Sequence, residues 1–323
     1  MKLRSKNLLV TGGSGFIGSN FINYILNKYK NVKIYNLDKL TYAGNKKNTI
    51  NFEKNKRYTF IAGDICNEIL LRDTFENYQI DGVINFAAES HVDNSILNPE
   101  IFIQTNIIGV HKLLKTAYSC WMYKPYVCKE KFNYARFHQI STDEVFGSIK
   151  TGSFTEKDQY KPSSPYSASK ASADMLVSAF FKTYGLNVST TICSNNYGPN
   201  QHSEKLIPNI QLKIRNNKNI NLYGDGNNIR DWIHVLDHCR AIDIIFNNAK
   251  KGDKYNVSSG EELKNVELVN LIFESLDKKT EISYIDDRYG HDFRYSLNSK
   301  KINSEFGWKP NYKIKKYLET LNK

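Results

Sequence analysis

The chain has 323 residues, of which 40 % are hydrophobic and 13 % aromatic, so it can fold around a substantial core. It has no run of about 18 apolar residues and no signal-peptide pattern, which excludes a membrane-spanning helix and predicts a cytoplasmic protein. The net charge is +12, but without a basic block; this argues against nucleic-acid binding and leaves a solvated lysine-rich surface or an anionic substrate as its explanation.

The cysteine pattern predicts free thiols. The five cysteines are odd in number and widely spaced, and no C-x-x-C occurs among Cys66, Cys120, Cys128, Cys193 and Cys239. We therefore expect neither a disulfide framework nor a zinc site, and no bound metal.

Strand and helix patterns alternate along the first half of the chain. A short apolar strand at residues 8–10 is followed by a helix at 16–26, where the apolar residues have helical spacing. Further strands are predicted at residues 32–37, 58–61, 82–86, 137–141 and 188–193, and a long helix at 167–184. This alternation predicts an α/β fold, with a Rossmann-type doubly wound parallel sheet covered by helices on both faces. Beyond residue 195 the elements shorten between Asn-rich loops, which predicts a smaller C-terminal lobe.

A glycine-rich loop joins the first strand to the first helix. Gly12, Gly15 and Gly18 are spaced three apart, so the backbone can turn tightly and approach a pyrophosphate closely. The following helix offers free N–H groups to the phosphates. Asp38 lies twenty residues further on, where a carboxylate binds ribose hydroxyls and repels a 2′-phosphate. The loop therefore predicts NAD rather than NADP. Asp64, after the third strand, is either an adenine contact or a helix cap.

Two further motifs carry acid–base chemistry. Tyr166 and Lys170 form Y-x-x-x-K and share one face of a helix, where the cation is expected to lower the pKa of the phenol. Thr142, Asp143 and Glu144 follow a strand, and catalytic residues of open parallel sheets gather at such carboxyl ends. An adjacent acid and base suit the elimination of water. The alternative for the acidic pair is a solvated turn.

These motifs resemble those of the nucleotide-sugar 4,6-dehydratases, members of the extended short-chain dehydrogenase/reductase family, and most of all those acting on dTDP-glucose. The likeness is carried by TGGSGFIG (11–18), DKLTYAGN (38–45), AAESHVDNS (87–95), STDEVFG (141–147), SPYSASKASAD (164–174), CSNNYGP (193–199), EKLIP (204–208), YGDGNNIRDWIHVLDH (223–238) and GHDFRY (290–295). It implies a lyase that uses NAD to convert dTDP-glucose or UDP-glucose into a 4-keto-6-deoxy sugar, an early step of rhamnose and deoxysugar biosynthesis.

The resemblance also implies roles for individual residues. Tyr166 would take the C4 hydroxyl proton, Glu144 the C5 proton, and Asp143 would protonate the leaving C6 hydroxyl. Besides the loop glycines, Tyr166 and Lys170, the residues expected at NAD are Phe16, Ile17, Asp38, Lys39, Leu40, Thr41, Asp64, Ile65, Ala87, Ala88, Glu89, Asn106 and Asn196. Those expected at the nucleotide sugar are Ser90, Thr142, Asn195, Lys205, Leu206, Tyr223, Arg230, Asn265, Asp292 and Tyr295. Residues 1–195 with 235–257 would form the NAD-binding domain, and 196–323 the nucleotide-sugar lobe.

The resemblance further implies a homodimer built on the Y-x-x-x-K helix and on residues 106–117. The residues expected at that interface are Ala168, Ala171, Ala173, Val177, Ala179 and Phe180, unless they face the protein's own core. Phe146 and Phe293 depart from the family pattern, which usually has tyrosine and arginine there. The choice between thymine and uracil stays open. A same-fold epimerase or decarboxylase, which would leave the acidic pair without a task, and a non-catalytic NAD-binding regulator are the alternative functions.

Overall fold

The structure is a computed structural model that describes residues 3–322. Its strands are β1 (Asn7–Thr11), β2 (Lys33–Asp38), β3 (Tyr58–Ala62), β4 (Gly82–Asn85), β5 (Met122–Lys124), β6 (Val127–Cys128), β7 (Arg136–Thr142), β8 (Val188–Cys193), β9 (Asn195–Tyr197), β10 (Ile220–Tyr223), β11 (Ile229–His234), β12 (Lys254–Val257), β13 (Glu262–Lys264) and β14 (Ile282–Ile285). Its α-helices are α1 (Phe16–Lys28), α2 (Glu68–Tyr78), α3 (Val92–Leu97), α4 (Pro99–Phe102), α5 (Val110–Trp121), α6 (Pro165–Tyr184), α7 (Leu206–Arg215), α8 (Val235–Asn248), α9 (Asn265–Leu276), α10 (Lys300–Phe306) and α11 (Ile314–Glu319). A π-helical segment, Ile103–Gly109, joins α4 to α5, and a 3-10 turn, Asp143–Phe146, follows β7.

The main sheet has the strand order β12-β8-β7-β4-β1-β2-β3. All of its neighbouring strands are parallel, which confirms the predicted α/β fold with a Rossmann-type sheet. The order reverses between β1 and β4. In sheets of this kind a crevice opens at that switch point, beyond the carboxyl ends of the strands. Both the glycine-rich loop after β1 and the acidic turn after β7 therefore lie at the same edge.

Helices cover both faces of this sheet. On one face α2, α5 and α6 contribute to a core that includes Leu71, Leu113 and Val177. On the other face α1 and α8 contribute Ile22 and Ile242 to a second core. Because β1 and β4 are buried on both sides, their sequences are nearly continuous apolar runs rather than alternating ones, whereas β7 and β8 bury polar residues as well. The outermost strand, β12, comes from the chain beyond residue 195.

A smaller lobe has a core of its own. That core combines α7, α9 and α11 with β10 and β11, through side chains such as Ile210, Trp232, Leu268 and Leu318. Two small sheets, β13-β11-β9 and β10-β14, support it. β9 follows directly after β8, and β11 leads directly into α8, so this lobe is tied to the main sheet at two neighbouring points.

Helix α6 contradicts part of the expected dimer interface. Ala171, Ala173, Val177 and Phe180 are buried in the protein's own cores, so the prediction that they face a second subunit is wrong. They lie on the side of the helix that packs on the sheet. Ala168, Met175 and Ala179 lie on the exposed side.

Three further observations concern residues 3–322 only. No helix there is long and apolar enough to cross a membrane. No group of three or more His, Cys, Asp or Glu side chains there is arranged to hold a metal ion. The five cysteines are all free thiols.

Candidate active site

The glycine-rich loop fits tightly against its neighbours. Gly12 has a φ of +67°, and a Cβ placed there would lie 2.7 Å from the backbone nitrogen of Ala87. A Cβ on Gly18 would lie 2.4 Å from the carbonyl oxygen of Gly12. Gly15 caps helix α1 without a side-chain hydrogen bond, so the first N–H groups of the helix remain available to an anion. The loop therefore has the geometry of a pyrophosphate cradle.

Asp38, at the end of β2, orders the loops around it. Its Oδ2 accepts a hydrogen bond of 2.8 Å from the backbone N–H of Ser14, and its Oδ1 accepts one of 2.8 Å from Leu40. Leu40 adopts a φ of +55°, so this bond holds an otherwise unfavourable turn. Lys39 forms a surface ion pair with Asp64, with Nζ and Oδ2 2.8 Å apart. The Asp38 carboxylate thus fixes both the glycine-rich loop and the segment that follows β2.

Helix α6 presents Tyr166 and Lys170 to the same edge of the sheet. It begins with Pro165 and a capping box between Ser164 and Ser167, and it ends at Gly185, whose φ is +70°. These end signals fix where the helix starts, and hence which side chains point at β7. Lys170 is 5 % exposed, and its Nζ donates a hydrogen bond of 2.6 Å to the carbonyl oxygen of Ile140.

The structure corrects the expectation that Lys170 lowers the pKa of Tyr166. Burial raises the pKa of Tyr166 well above its usual range, and Glu144 and Cys193 raise it further. Lys170 is not among the main causes of this shift, because its ammonium points to the backbone of β7. A hydrogen bond with Thr142 is the contact that lowers the pKa of the phenol.

The acidic pair lies on the 3-10 turn after β7 and is no solvated turn. Asp143 is 2 % exposed; its Oδ1 accepts a hydrogen bond of 3.2 Å from the Thr142 hydroxyl, and its Oδ2 has no partner. Burial raises the pKa of Asp143 well above its usual range, and Glu144 adds to the rise. Burial also raises the pKa of Glu144, but the charges of Arg230, Arg288 and Lys205 oppose it. The two carboxyl groups therefore differ in environment, as an acid and a base must.

The small lobe contributes a buried cation beside this pair. The Arg230 guanidinium lies 4.3 Å from the ring centre of Tyr295 and donates a hydrogen bond of 2.9 Å to the backbone oxygen of Asp292. The Tyr295 hydroxyl donates to Oδ2 of Asp292 at 3.0 Å. Buried Oδ1 of Asn265 has no partner. Lys205 bridges to the main domain, since its Nζ donates to the backbone oxygen of Ser90 at 3.1 Å.

One cavity of about 370 Å³ brings most of the predicted site residues together. The predicted residues that line it are Gly12, Gly15, Phe16, Ile17, Gly18, Asp38, Lys39, Thr41, Asp64, Ile65, Ala87, Ala88, Glu89, Ser90, Thr142, Asp143, Glu144, Tyr166, Lys170, Asn195, Asn196, Lys205 and Leu206. The predicted residues outside its lining are Leu40, Asn106, Tyr223, Arg230, Asn265, Asp292 and Tyr295. Asn106 lies behind the wall, where its amide hydrogen-bonds both the N–H and the C=O of Glu89.

The cavity also has lining residues that the sequence did not single out. Cys193, Ser194, Glu204 and Trp232 are among them. The first two belong to the same C-S-N-N run as Asn195, and Glu204 directly precedes Lys205. Trp232 could have been found from Arg230, because residues two apart on a strand share a face. The indole N–H of Trp232 is buried without a partner.

Comparison with known proteins identifies the family. The model of the GDP-mannose 4,6 dehydratase family matches residues 9–321. The chain belongs to this family. It is 44 % identical over 315 residues to the dTDP-glucose 4,6-dehydratase of Xanthomonas campestris pv. campestris strain B100, covering 94 % of this chain and 88 % of that protein.

Solved structures agree with this membership of the 4,6-dehydratase family. DesIV, a dTDP-glucose 4,6-dehydratase from Streptomyces venezuelae solved with NAD bound, matches with a TM-score of 0.90 and 41 % identity, over 97 % of this chain and 95 % of that one. A UDP-glucose 4-epimerase from Thermotoga maritima matches with a TM-score of 0.86 but 25 % identity, over 97 % and 96 % of the two chains. The fold is shared with epimerases, whereas sequence identity is higher with the dehydratase.

The two departures from the family pattern lie in different surroundings. Phe146 is fully buried, stacked on Phe154 with ring centres 5.0 Å apart and edge-on to Tyr160 at 5.2 Å. A phenylalanine suits this apolar position, since a hydroxyl there would need a partner. Phe293 is exposed and faces away from the core.

Proposed function

We propose that this chain is an NAD-dependent 4,6-dehydratase of dTDP-glucose, which yields the 4-keto-6-deoxy sugar. One observation carries the proposal: a single cavity joins a pyrophosphate cradle to Tyr166 and to a buried acidic pair. Curated relatives that are 44 % identical over most of the chain have this activity in their names. An epimerase has no elimination step and needs no acidic pair.

The residues around the cavity fit NAD. Gly12 and Gly18 leave no room for a Cβ, the N–H groups of α1 are free for the pyrophosphate, and Asp38 would bind the adenosine ribose. NAD, when bound, would supply the acceptor for the C4 hydride and the donor for its return to C6. Residues 1–195 with 235–257 would form the NAD-binding domain, and the rest of 196–323 would hold the nucleotide sugar.

Each protein group then has one proton to move. Tyr166 accepts the proton of the C4 hydroxyl, aided by Thr142, whose hydrogen bond favours the phenolate. The 4-keto group acidifies C5. Glu144 removes that proton, because nearby cations favour its ionised form, and gives it back to C5 when the hydride returns to C6. Asp143, whose pKa is raised well above its usual range by burial, gives its proton to the departing C6 hydroxyl.

The substrate's diphosphate would meet Lys205 and Arg230, and guanidinium groups suit such doubly charged ligands. Asn265, with its buried and unpartnered Oδ1, would donate or accept at the nucleoside end. All five cysteines are free, which fits the reducing cytosol as the place of action.

Product analysis tests the proposal directly. The purified protein is incubated with NAD and either dTDP-glucose or UDP-glucose, and the 4-keto product is detected by its ultraviolet absorbance in alkali. We expect turnover of dTDP-glucose. Turnover of UDP-glucose alone would contradict the choice of nucleobase, and formation of the C4 epimer without keto product would support the epimerase instead.

We also propose that the chain forms a homodimer through the exposed face of α3, α4, the π-helical segment and α6. Apolar side chains are concentrated there: Leu97 is 83 % exposed, and Ile101, Ile103 and Met175 are each about half exposed. The small residues Ala168 and Ala179 on α6 allow close helix approach. A sedimentation mass of twice the single-chain 37.3 kDa is expected. A mass near 37.3 kDa at micromolar concentration would contradict it.

A further inference from the structure

A third ionisable residue extends the Y-x-x-x-K pattern by one more turn of α6. Asp174 follows Lys170 by four residues, as Lys170 follows Tyr166, so the three side chains share one face of the helix. Lys170 is 5 % exposed and Asp174 6 % exposed. A buried cation is costly unless a negative charge or several acceptors accompany it.

Few groups are available to balance the Lys170 ammonium. Its Nζ donates one hydrogen bond, to the carbonyl oxygen of Ile140 on β7. The ionisable groups facing it are Asp174 on its own helix and the Cys193 thiol on β8. Burial raises the pKa of that thiol to about 12, so it stays neutral. Asp174 is therefore the anion that faces Lys170 at working pH. Burial lowers the pKa of Lys170, and Asp174 is the main opposing influence.

Asp174 itself is held rigidly between α6 and the sheet. Its Oδ2 accepts hydrogen bonds from the hydroxyls of Ser141, at the end of β7, and Tyr160, at 3.2 Å for the latter. Its Oδ1 is buried without a partner. Lys254 on β12 also faces it, with Nζ 4.6 Å from the ring centre of Tyr160. Burial raises the pKa of Asp174 to about 6, so the carboxylate is ionised at neutral and alkaline pH.

We propose that Asp174 is a positioning residue of the reaction, which keeps Lys170 charged and aligned against the carboxyl end of β7. The inference rests on the proposed function, in which Tyr166 takes the C4 hydroxyl proton and Lys170, which lines the same cavity, binds NAD. Asp174 touches neither substrate nor cofactor, since it lies outside the cavity lining. It acts through residues that line the cavity, Lys170 by charge and Ser141 by a hydrogen bond, which distinguishes it from the acidic pair on the turn after β7.

The size of the effect follows from charge separation. Charges about 6 Å apart, in surroundings with an effective dielectric constant of about 20, shift each other by roughly two pKa units. In Asp174→Asn the deprotonation of Lys170 should move to lower pH, and the alkaline limb of the pH profile of the hydride-transfer rate should move down by about one to two pH units.

The test measures the alkaline limb of the pH profile of the hydride-transfer rate. The NAD-loaded enzyme is mixed with dTDP-glucose in single turnovers, and the appearance of NADH is followed by stopped-flow absorbance from pH 6 to 10. Asp174→Asn should shift the limb, whereas Asp174→Glu, which keeps the charge, should restore it. Tyr160→Phe removes one hydrogen bond to Asp174 but no charge, and should leave the limb in place. Asp243→Asn is the matched control, because Asp243 is equally buried and paired with Lys28 on the far side of the sheet.

The outcomes separate this inference from the proposed function. A limb that does not move in Asp174→Asn overturns the inference, whatever happens to stability. If the amide is not accommodated and the variant fails to fold, Asp174→Ser makes the same prediction with a smaller neutral side chain. Lys170→Ala tests the underlying role: unimpaired hydride transfer there would overturn the role of Lys170 itself, while its loss beside an unshifted Asp174→Asn limb overturns only the positioning role.

Discussion

Replacing each member of the acidic pair should separate the two halves of the reaction. Glu144→Gln and Asp143→Asn keep size and polarity but remove proton transfer. Oxidation at C4 depends on Tyr166, whereas elimination across C5 and C6 depends on the pair. Both variants should therefore bind substrate and form NADH, yet lose product. Tyr166→Phe should instead lose NADH formation, and Thr142→Val should show an intermediate loss.

The structure sets the expected size of each loss. General acids and bases contribute about 10²- to 10⁴-fold, equivalent to roughly 3–5 kcal/mol of barrier. Asp143 is 2 % exposed, so water cannot reach the leaving hydroxyl in its place, and we expect the upper part of that range. Glu144 is less completely buried than Asp143, and a water molecule can partly replace it, so about 10²-fold is expected. The contact between Thr142 and Oδ1 of residue 143 survives in Asp143→Asn.

Stopped-flow absorbance at the NADH band, run beside a keto-product assay, measures both halves. Asp158→Asn is the matched control, because Asp158 is an exposed acid in a turn with Thr155 and should be replaceable without loss. If Glu144→Gln makes keto-deoxy sugar at the parent rate, its role as the base is refuted, and the epimerase becomes the better assignment.

Three other predictions concern stability and cofactor retention. A carboxyl whose pKa is raised on folding destabilises the protein increasingly as the pH rises above the pKa that the group has in the unfolded chain. Asp143→Asn should therefore melt at a higher temperature than the parent at pH 7, and calorimetry should show this difference closing near pH 4. An equal difference in melting temperature at both pH values would contradict the burial argument. Arg136 donates to the carbonyl oxygens of Ile245, Phe246 and Ala249 at the end of α8, so Arg136→Met should cost about 3 kcal/mol in urea unfolding, and a cost under about 1 kcal/mol would refute that role. Gly18→Ala should be purified without dinucleotide, because its Cβ would lie 2.4 Å from the Gly12 carbonyl oxygen. The control Gly152→Ala lies at an exposed turn with a φ of +75° and no neighbour within 4 Å, so it should lose some stability but retain NAD, and not NADP, in the denatured supernatant.

Six of the seven strands of the main sheet were predictable, because strand and helix patterns alternate along the first half of the chain; the seventh, β12, is a short strand with two polar residues and was not predicted. The cradle and the acidic turn were predictable for a related reason: their residues are neighbours in sequence. The face of α6 was not predictable in the same way. Its apolar residues have helical spacing, but periodicity does not say whether Val177 and Phe180 pack on the sheet or on another subunit.

Contacts between distant segments were equally out of reach. Arg230 and Asp292 are 62 residues apart and meet only because β11 runs beside the 290–295 segment. The orientation of Lys170 toward Ile140, rather than toward Tyr166, depends on how deeply α6 lies against β7. Sequence spacing places the two residues on one face but does not give the direction of the ammonium.

The position of β12 affects how the chain folds during synthesis. This outer strand pairs with β8, yet sixty residues, including most elements of the small lobe's core, separate the two in sequence. Until residues 254–257 emerge from the ribosome, β8 has an open edge of unpaired N–H and C=O groups. The apolar face of the sheet that α8 later covers is likewise exposed until that helix has been made. Nascent chains that stall before residue 250 should therefore be the ones most prone to aggregate and to engage chaperones.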